Sequence, residues 1–100
     1  MDVDRREEIL NSRAAVPDDV VRRDFAAETL VLKLGTGTYH GLDATGARLL
    51  DLLRETGGDV RLSIERLAGE HGVASEEIAG DLLDFCAELA DRGLLELGPR

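Results

Sequence analysis

The sequence predicts an α+β domain that resembles a winged helix-turn-helix, with three antiparallel strands followed by three helices. Three observations favour this class. Short β-branched and apolar segments occupy positions 20–42, amphipathic helical periodicity begins after residue 43, and glycines or acidic residues separate the segments. A chain of 100 residues has the length of a single domain.

The chain is predicted to divide near Pro17. Residues 1–16 are polar and show no sustained hydrophobic period, which predicts a flexible or loosely helical N-terminal arm. The folded domain is expected to cover residues 17–98.

The three strands are predicted at residues 20–25 (VVRRDF), 29–34 (TLVLKL) and 38–42 (TYHGL). The second is almost continuously apolar, which is typical of a central strand with neighbours on both sides. Gly35, Thr36 and Gly37 separate the second strand from the third. This spacing predicts a hairpin, because glycine readily adopts the positive φ that such turns require.

Three helices are predicted after the strands. Asp43 is expected to cap the first, since its carboxylate can accept backbone N–H bonds of the first turn. The second helix is predicted to begin near Ser63 and the third at Ser75, and glycines at 57–58, 72 and 93 end the three helices. Residues 94–97 (LLEL) are predicted to form a short extended segment.

The glycine-rich segment at residues 34–46 does not match a nucleotide-binding motif. In the dinucleotide fingerprint G-x-G-x-x-G that starts at Gly35, the third glycine would fall at His40. Gly41 and Gly46 have P-loop spacing, but the Lys and the hydroxyl residue that should follow are absent. These glycines are therefore predicted to form turns, and no cofactor is expected.

No catalytic or metal-binding constellation is predicted. His40 and His71 lack metal-ligand partners at a recognisable spacing. Cys86, the single cysteine, falls on the apolar face of the third helix and is predicted to be a small core residue. The chain is therefore expected not to be an enzyme. A charged N-terminus without a signal-peptide core and a single cysteine predict a cytoplasmic protein.

The third helix carries a row of five carboxylates. They recur at steps of three and four residues, which places them in one stripe of ~20 Å: Glu77, Asp81, Asp84, Glu88 and Asp91. One interpretation is a solvated helix face; the other is a surface that attracts a basic peptide. The formal net charge of −9 disfavours nucleic acid and anionic membranes as partners.

The third strand, residues 38–42, contains neither proline nor a formal charge. If the sheet order follows the chain order, this strand forms an edge that lacks the usual protection against pairing. Its shortness is one explanation. The alternative is an acceptor edge to which a foreign strand adds.

Three segments together resemble the PqqD-like family of RiPP recognition elements, which bind the leaders of ribosomally made peptide natural products. The segments are VLKLGTGTYHGLDATGARLLDLL, SIERLAGEHGV and EEIAGDLLDFCAELADRGLLEL. The resemblance covers about residues 20–97 and looks closest to the lasso-peptide branch. It implies three antiparallel strands followed by three helices.

The resemblance also implies a binding site. The precursor leader would add as a strand along the third strand and lie against the third helix. The implied peptide-binding residues are Thr38, Tyr39, His40, Gly41 and Leu42 on the strand, and Asp81, Asp84, Phe85, Glu88 and Leu89 on the helix. The implied further partners are modifying enzymes such as a leader peptidase or a cyclase.

Two other functional classes remain open from the sequence. One is an acidic winged-helix transcription regulator, which the carboxylates of the last helix disfavour because a DNA-reading helix needs basic or amide side chains. The other is a small structural subunit that binds another protein without peptide selectivity.

Overall fold

The computed structural model describes residues 3–99. In chain order the elements are α1 (Val3–Leu10), β1 (Ser12–Ala15), β2 (Val20–Asp24), β3 (Thr29–Lys33), β4 (Tyr39–Leu42), α2 (Ala44–Glu55), α3 (Val60–His71), α4 (Ser75–Asp91) and β5 (Glu96–Pro99). The prediction of three antiparallel strands followed by three helices is confirmed. The elements α1 and β1 add to it, and β5 overlaps the extended segment predicted at residues 94–97.

The three predicted strands form one antiparallel sheet in the order β2-β3-β4. In this register Val31 on β3 pairs with Arg22 on β2 and with His40 on β4. The turn before β4 contains Gly37 at φ 74°, the left-handed conformation that the hairpin prediction required. Sheet order therefore follows chain order and places β4 at an edge.

Local capping fixes where the helices begin. The carboxylate of Asp43 accepts the Gly46 N–H at 2.8 Å, which confirms the predicted cap of α2. Asp59 does the same for α3 by accepting the Leu62 N–H at 3.0 Å. Because of this cap, α3 begins at Val60, three residues before the predicted start at Ser63.

The N-terminal segment differs from the expected arm. Residues 3–10 form α1, whose Ile9 side chain is buried, and residues 12–15 form β1, which pairs antiparallel with β5. Ala14 is also buried. With one buried residue in the eight-residue helix and one in the strand, the segment has no hydrophobic period long enough to recognise in sequence.

The hydrophobic core lies between the helices and the inner face of the β2-β3-β4 sheet. Its fully buried members come from α1, α2, α3, α4 and the segment after α4, and include Ile9, Leu49, Leu52, Ile64, Leu67, Cys86, Leu89 and Leu94. Burial of Cys86 confirms its predicted place in the core. Within residues 3–99, no helix has the length and apolar character needed to cross a membrane.

Candidate functional site

The backbone of β4 is unpaired on one side. The Lys33 N–H donates to the Thr38 carbonyl at 2.8 Å. The backbone polar groups of Thr38 therefore point toward β3. Because hydrogen-bonding direction alternates along an antiparallel strand, His40 and Leu42 also bond toward β3. The N–H and C=O groups of Tyr39 and Gly41 therefore point out of the sheet, where no strand of residues 3–99 pairs with them.

The opposite edge of the same sheet is protected by its own chain. At β2 the Val20 N–H donates to the Pro17 carbonyl at 3.0 Å. The guanidinium of Arg23 donates to the Arg22 carbonyl at 3.1 Å. By the same alternation, the Val20 N–H and the Arg22 carbonyl both point away from β3. Because both are already hydrogen-bonded, β2 offers fewer free backbone groups to an added strand than β4 does.

The side chains of β4 alternate between the two faces of the sheet. Tyr39 lies on the outer face and is 66% exposed, whereas Leu42 is only 2% exposed and packs in the core. His40 lies on the same inner face as Leu42, and its side chain is 18% exposed. Of the predicted strand residues, Leu42 therefore offers no side chain to a ligand.

Four side chains form a polar and aromatic group behind the β4 edge. The rings of His40 and Phe85 meet edge to face with centroids 6.4 Å apart. His40 Nδ1 lies 3.8 Å from Glu88 Oε1, and Arg92 Nη2 lies 3.7 Å from the same oxygen. We call these residues (His40, Phe85, Glu88 and Arg92) the cleft cluster. The structure thus brings together three predicted site residues: His40, Phe85 and Glu88.

A glycine lets Phe85 approach α2 closely. A Cβ atom at Gly46 would lie 3.1 Å from Phe85 Cζ, tighter than an ordinary van der Waals contact. Gly46 sits in the first turn of α2, directly after β4. The small residue therefore allows the aromatic ring to lie half-buried at the junction of β4, α2 and α4.

Two members of the acidic row lie against α1. Asp84 accepts bidentate hydrogen bonds from Arg6 at 2.9 and 2.7 Å, and Asp91 accepts bonds from Arg5 at 3.2 and 2.6 Å. In each case hydrogen bonding to the arginine lowers the pKa of the carboxyl below its ordinary value. Asp84 is therefore already paired with Arg6, but its side chain is still 38% exposed, and its predicted contact with a peptide stays a prediction.

The remaining predicted helix residues differ in accessibility. Leu89 is 0% exposed and belongs to the core, so it cannot contribute a pocket wall. Asp81 is exposed and lies one helical turn before Phe85. On the strand, the predicted residue Thr38 lines an open depression that runs along residues 37–41. Phe85 and Leu89 are four residues apart and so lie on the same side of α4, and only packing decides that Leu89 is buried while Phe85 lies beside His40.

Arg92 also lies in the candidate site and is not predicted from the sequence. It lines the depression beside residues 37–41. Its spacing from Glu88 could have indicated this position. The two residues are four apart at the end of a helix, so their side chains are neighbours.

The thiol of Cys86 would be a candidate nucleophile, but it is buried. Burial raises the pKa of its thiol to about 12, so the reactive thiolate is disfavoured at neutral pH. Within residues 3–99, no group of three or more His, Cys, Asp or Glu side chains is arranged to hold a metal ion.

The family model of PqqD, described as Coenzyme PQQ synthesis protein D, matches residues 28–95. The solved structure of TbiB1 in complex with the TbiA(beta) leader peptide is 38% identical in sequence and superposes with a TM-score of 0.71. The match covers 81% of this chain and 93% of that chain. A search of curated proteins gave no match.

Proposed function

Since the chain belongs to the PqqD family, we propose that it is a RiPP recognition element that binds the leader of a precursor peptide. The leader adds as a strand along β4 and contacts the cleft cluster. In this proposal the protein is a non-catalytic adaptor that presents the bound precursor to modifying enzymes.

The observation that carries the proposal is the unpaired backbone of Tyr39 and Gly41. Each residue directs one N–H donor and one C=O acceptor away from the sheet. An extended peptide that satisfies all four groups gains main-chain hydrogen bonds whatever its sequence, while nearby side chains select among peptides. The cleft cluster lies beside these groups and supplies that selection.

The comparison with TbiB1 supports the same class of ligand. That protein was solved with the TbiA(beta) leader peptide bound, and 38% identity over 93% of its length relates it to this chain. Because the sequence segments look closest to the lasso-peptide branch, a pathway of the lasso type is the first to test. The partners proposed beyond the leader are a leader peptidase and a cyclase.

The absence of catalysis is part of the proposal. It is supported by the thiol of Cys86, which is buried and held protonated, and by His40, whose ring packs against Phe85 rather than beside a nucleophile.

Selection from a random peptide library tests the proposal without knowledge of the natural leader. Peptides of 12 random residues are displayed and selected on the wild-type protein, and an enriched peptide is synthesised. Amide hydrogen exchange is then measured with and without that peptide. We expect the Tyr39 and Gly41 amides to become protected, while the His40 amide, which already bonds within the sheet, changes little. If no peptide is enriched, or if protection appears elsewhere, the proposed function is wrong.

A further inference from the structure

Arg92 places a positive charge at one end of the cleft cluster. Its side chain is 47% exposed and lines the depression along residues 37–41. Its nearest described carboxylate oxygen, on Glu88, lies 3.7 Å away, which is longer than a hydrogen bond. The guanidinium therefore keeps donors free for a ligand.

Several other arginines of the described chain instead form short ion pairs within the fold. Arg6 hydrogen-bonds Asp84 at 2.7 Å, Arg48 bonds Glu70 at 2.7 Å, and Arg22 bonds Asp51 at 2.7 Å. These guanidinium groups are engaged in tight ion pairs within the fold. Arg92 lies at the β4 edge without such a pair.

The charge has a defined position along the strand. Arg92 lies beside residues 37–41, Glu88 lies beside His40, and Phe85 packs at the junction with α2 that follows β4. Thus α4 runs antiparallel to β4 along the cleft. A strand added to β4 meets the guanidinium near Thr38 and the aromatic ring farther along, toward Leu42.

Strand geometry sets the spacing that a ligand needs. The seven-residue step from Phe85 to Arg92 corresponds to a rise of about 10 Å along the helix. Side chains on one face of a strand are separated by ~7 Å when two residues apart and by ~13 Å when four residues apart. Peptide side chains opposite Thr38 and His40 point to the helix side and reach these two groups.

We propose that Arg92 is a specificity-determining residue that selects leaders with an acidic side chain two or four residues away from an apolar one. The carboxylate binds the Arg92 guanidinium, and the apolar side chain packs on Phe85 and His40. This inference rests on the proposed function, because it requires the leader to lie along β4.

Parallel selections on variants test the inference. The same 12-residue library is selected on wild type and on Arg92→Glu, Arg92→Lys and Arg66→Gln. Arg66 is an exposed arginine on α3, and Arg66→Gln is the control for loss of a surface positive charge outside the cleft cluster. Thermal melting monitored by circular dichroism confirms that each variant is folded.

Wild type and Arg92→Lys should enrich peptides with Asp or Glu at one position, with an apolar residue two or four positions away. Arg92→Glu should replace that acidic preference with Lys or Arg, and the wild-type peptide should bind it at least about tenfold more weakly. Arg66→Gln should match wild type. If Arg92→Glu selects the same peptides as wild type, the inference is wrong even though the proposed function stands.

Failure of the proposed function gives a different result. In that case no peptide is enriched by wild type, or the enriched peptide binds equally well when the β4 edge is blocked by Tyr39→Pro. Either result overturns both the proposed function and the role assigned to Arg92.

Discussion

The guanidinium of Arg6 holds both carboxylate oxygens of Asp84, with Nε–Oδ1 and Nη2–Oδ2 distances of 2.9 and 2.7 Å. This contact joins α1 to α4 across 78 positions of sequence. It also changes the meaning of the acidic row on α4, because a carboxylate that seemed free to attract a peptide is neutralised within the fold. The cleft beside β4 is consequently less acidic than the row alone predicts.

The Arg6–Asp84 ion pair should make stability depend on pH in the acid range. Its hydrogen bonds lower the pKa of Asp84 in the folded state below the unfolded value, which is near 4. The contribution is therefore present above about pH 4 and is lost as pH falls through the lower folded pKa. We expect Asp84→Asn to lower the urea midpoint at pH 7, and this difference to disappear as pH approaches 2.

Asp81→Asn is the matched control for this measurement, since Asp81 is exposed on the same helix. Its urea midpoint should remain much closer to wild type across the range. Parallel pH curves for wild type and Asp84→Asn would show that the ion pair does not stabilise the fold.

Proline substitutions should separate peptide binding from folding. Tyr39→Pro removes an N–H that points out of the sheet, so we expect peptide affinity to fall at least about tenfold, or ~1.4 kcal/mol, with little change in stability. His40→Pro removes an N–H that bonds toward Val31 and leaves a carbonyl unsatisfied, which should cost about 1–3 kcal/mol of stability.

Isothermal titration with a library-selected peptide and urea unfolding measure these two effects. Unchanged affinity in folded Tyr39→Pro would mean that the ligand does not add as a strand at β4.

Substitutions on α4 should distinguish Phe85 from Leu89. Leu89 is completely buried, so Leu89→Ala should lower the free energy of unfolding by about 2–5 kcal/mol. Phe85→Leu keeps an apolar side chain at the junction but removes the aromatic face, so we expect weaker peptide binding with a smaller loss of stability. Urea unfolding and titration of the selected peptide give the comparison. Equal effects of the two changes on affinity would contradict the assigned difference.

Two glycines should respond to alanine in opposite directions. Gly58 has φ 93°, and a Cβ there would lie 2.6 Å from the Ala14 carbonyl oxygen, so Gly58→Ala should destabilise the fold by about 1–3 kcal/mol. Gly69 lies within α3, and a Cβ there has no neighbour within 4 Å. Gly69→Ala should therefore stabilise by about 0.5–1 kcal/mol, which urea unfolding can resolve.

The thiol of Cys86 should be inert in the folded protein. Burial raises its pKa to about 12, which disfavours the thiolate, and also blocks access by reagents. At pH 8 we expect a chromogenic disulfide reagent to react much more slowly with native protein than with protein unfolded in urea. Equal rates would indicate that the packing around α4 opens readily.

Much of the fold follows from local features of the sequence. The hairpin before β4 needs Gly37 at positive φ, and the start of α2 needs the Asp43 carboxylate next to the Gly46 N–H. Both depend on residues close together in the chain, so the sequence alone is enough to predict them. The start of α3 is less clear from the sequence because Asp59, which caps this helix, lies outside the apolar period.

The site was predicted less completely. The β4 edge and the proximity of His40 to Phe85 and Glu88 agree with the order and spacing of the residues. Arg92 is not predicted because its position beside residues 37–41 depends on how α4 packs against the sheet. The burial of Leu89 depends on side chains from several elements, which periodicity on a single helix does not resolve.

By itself, the sequence determined the order of strands and helices, the neutral character of β4 and the row of carboxylates on α4. Only the tertiary structure decided that α1 covers part of this row and that Arg92 faces the strand edge. The reason is that backbone conformation is set largely by neighbouring residues, whereas the partner of a charged side chain is set by packing between distant segments, as for Arg5 and Asp91, which are 86 positions apart.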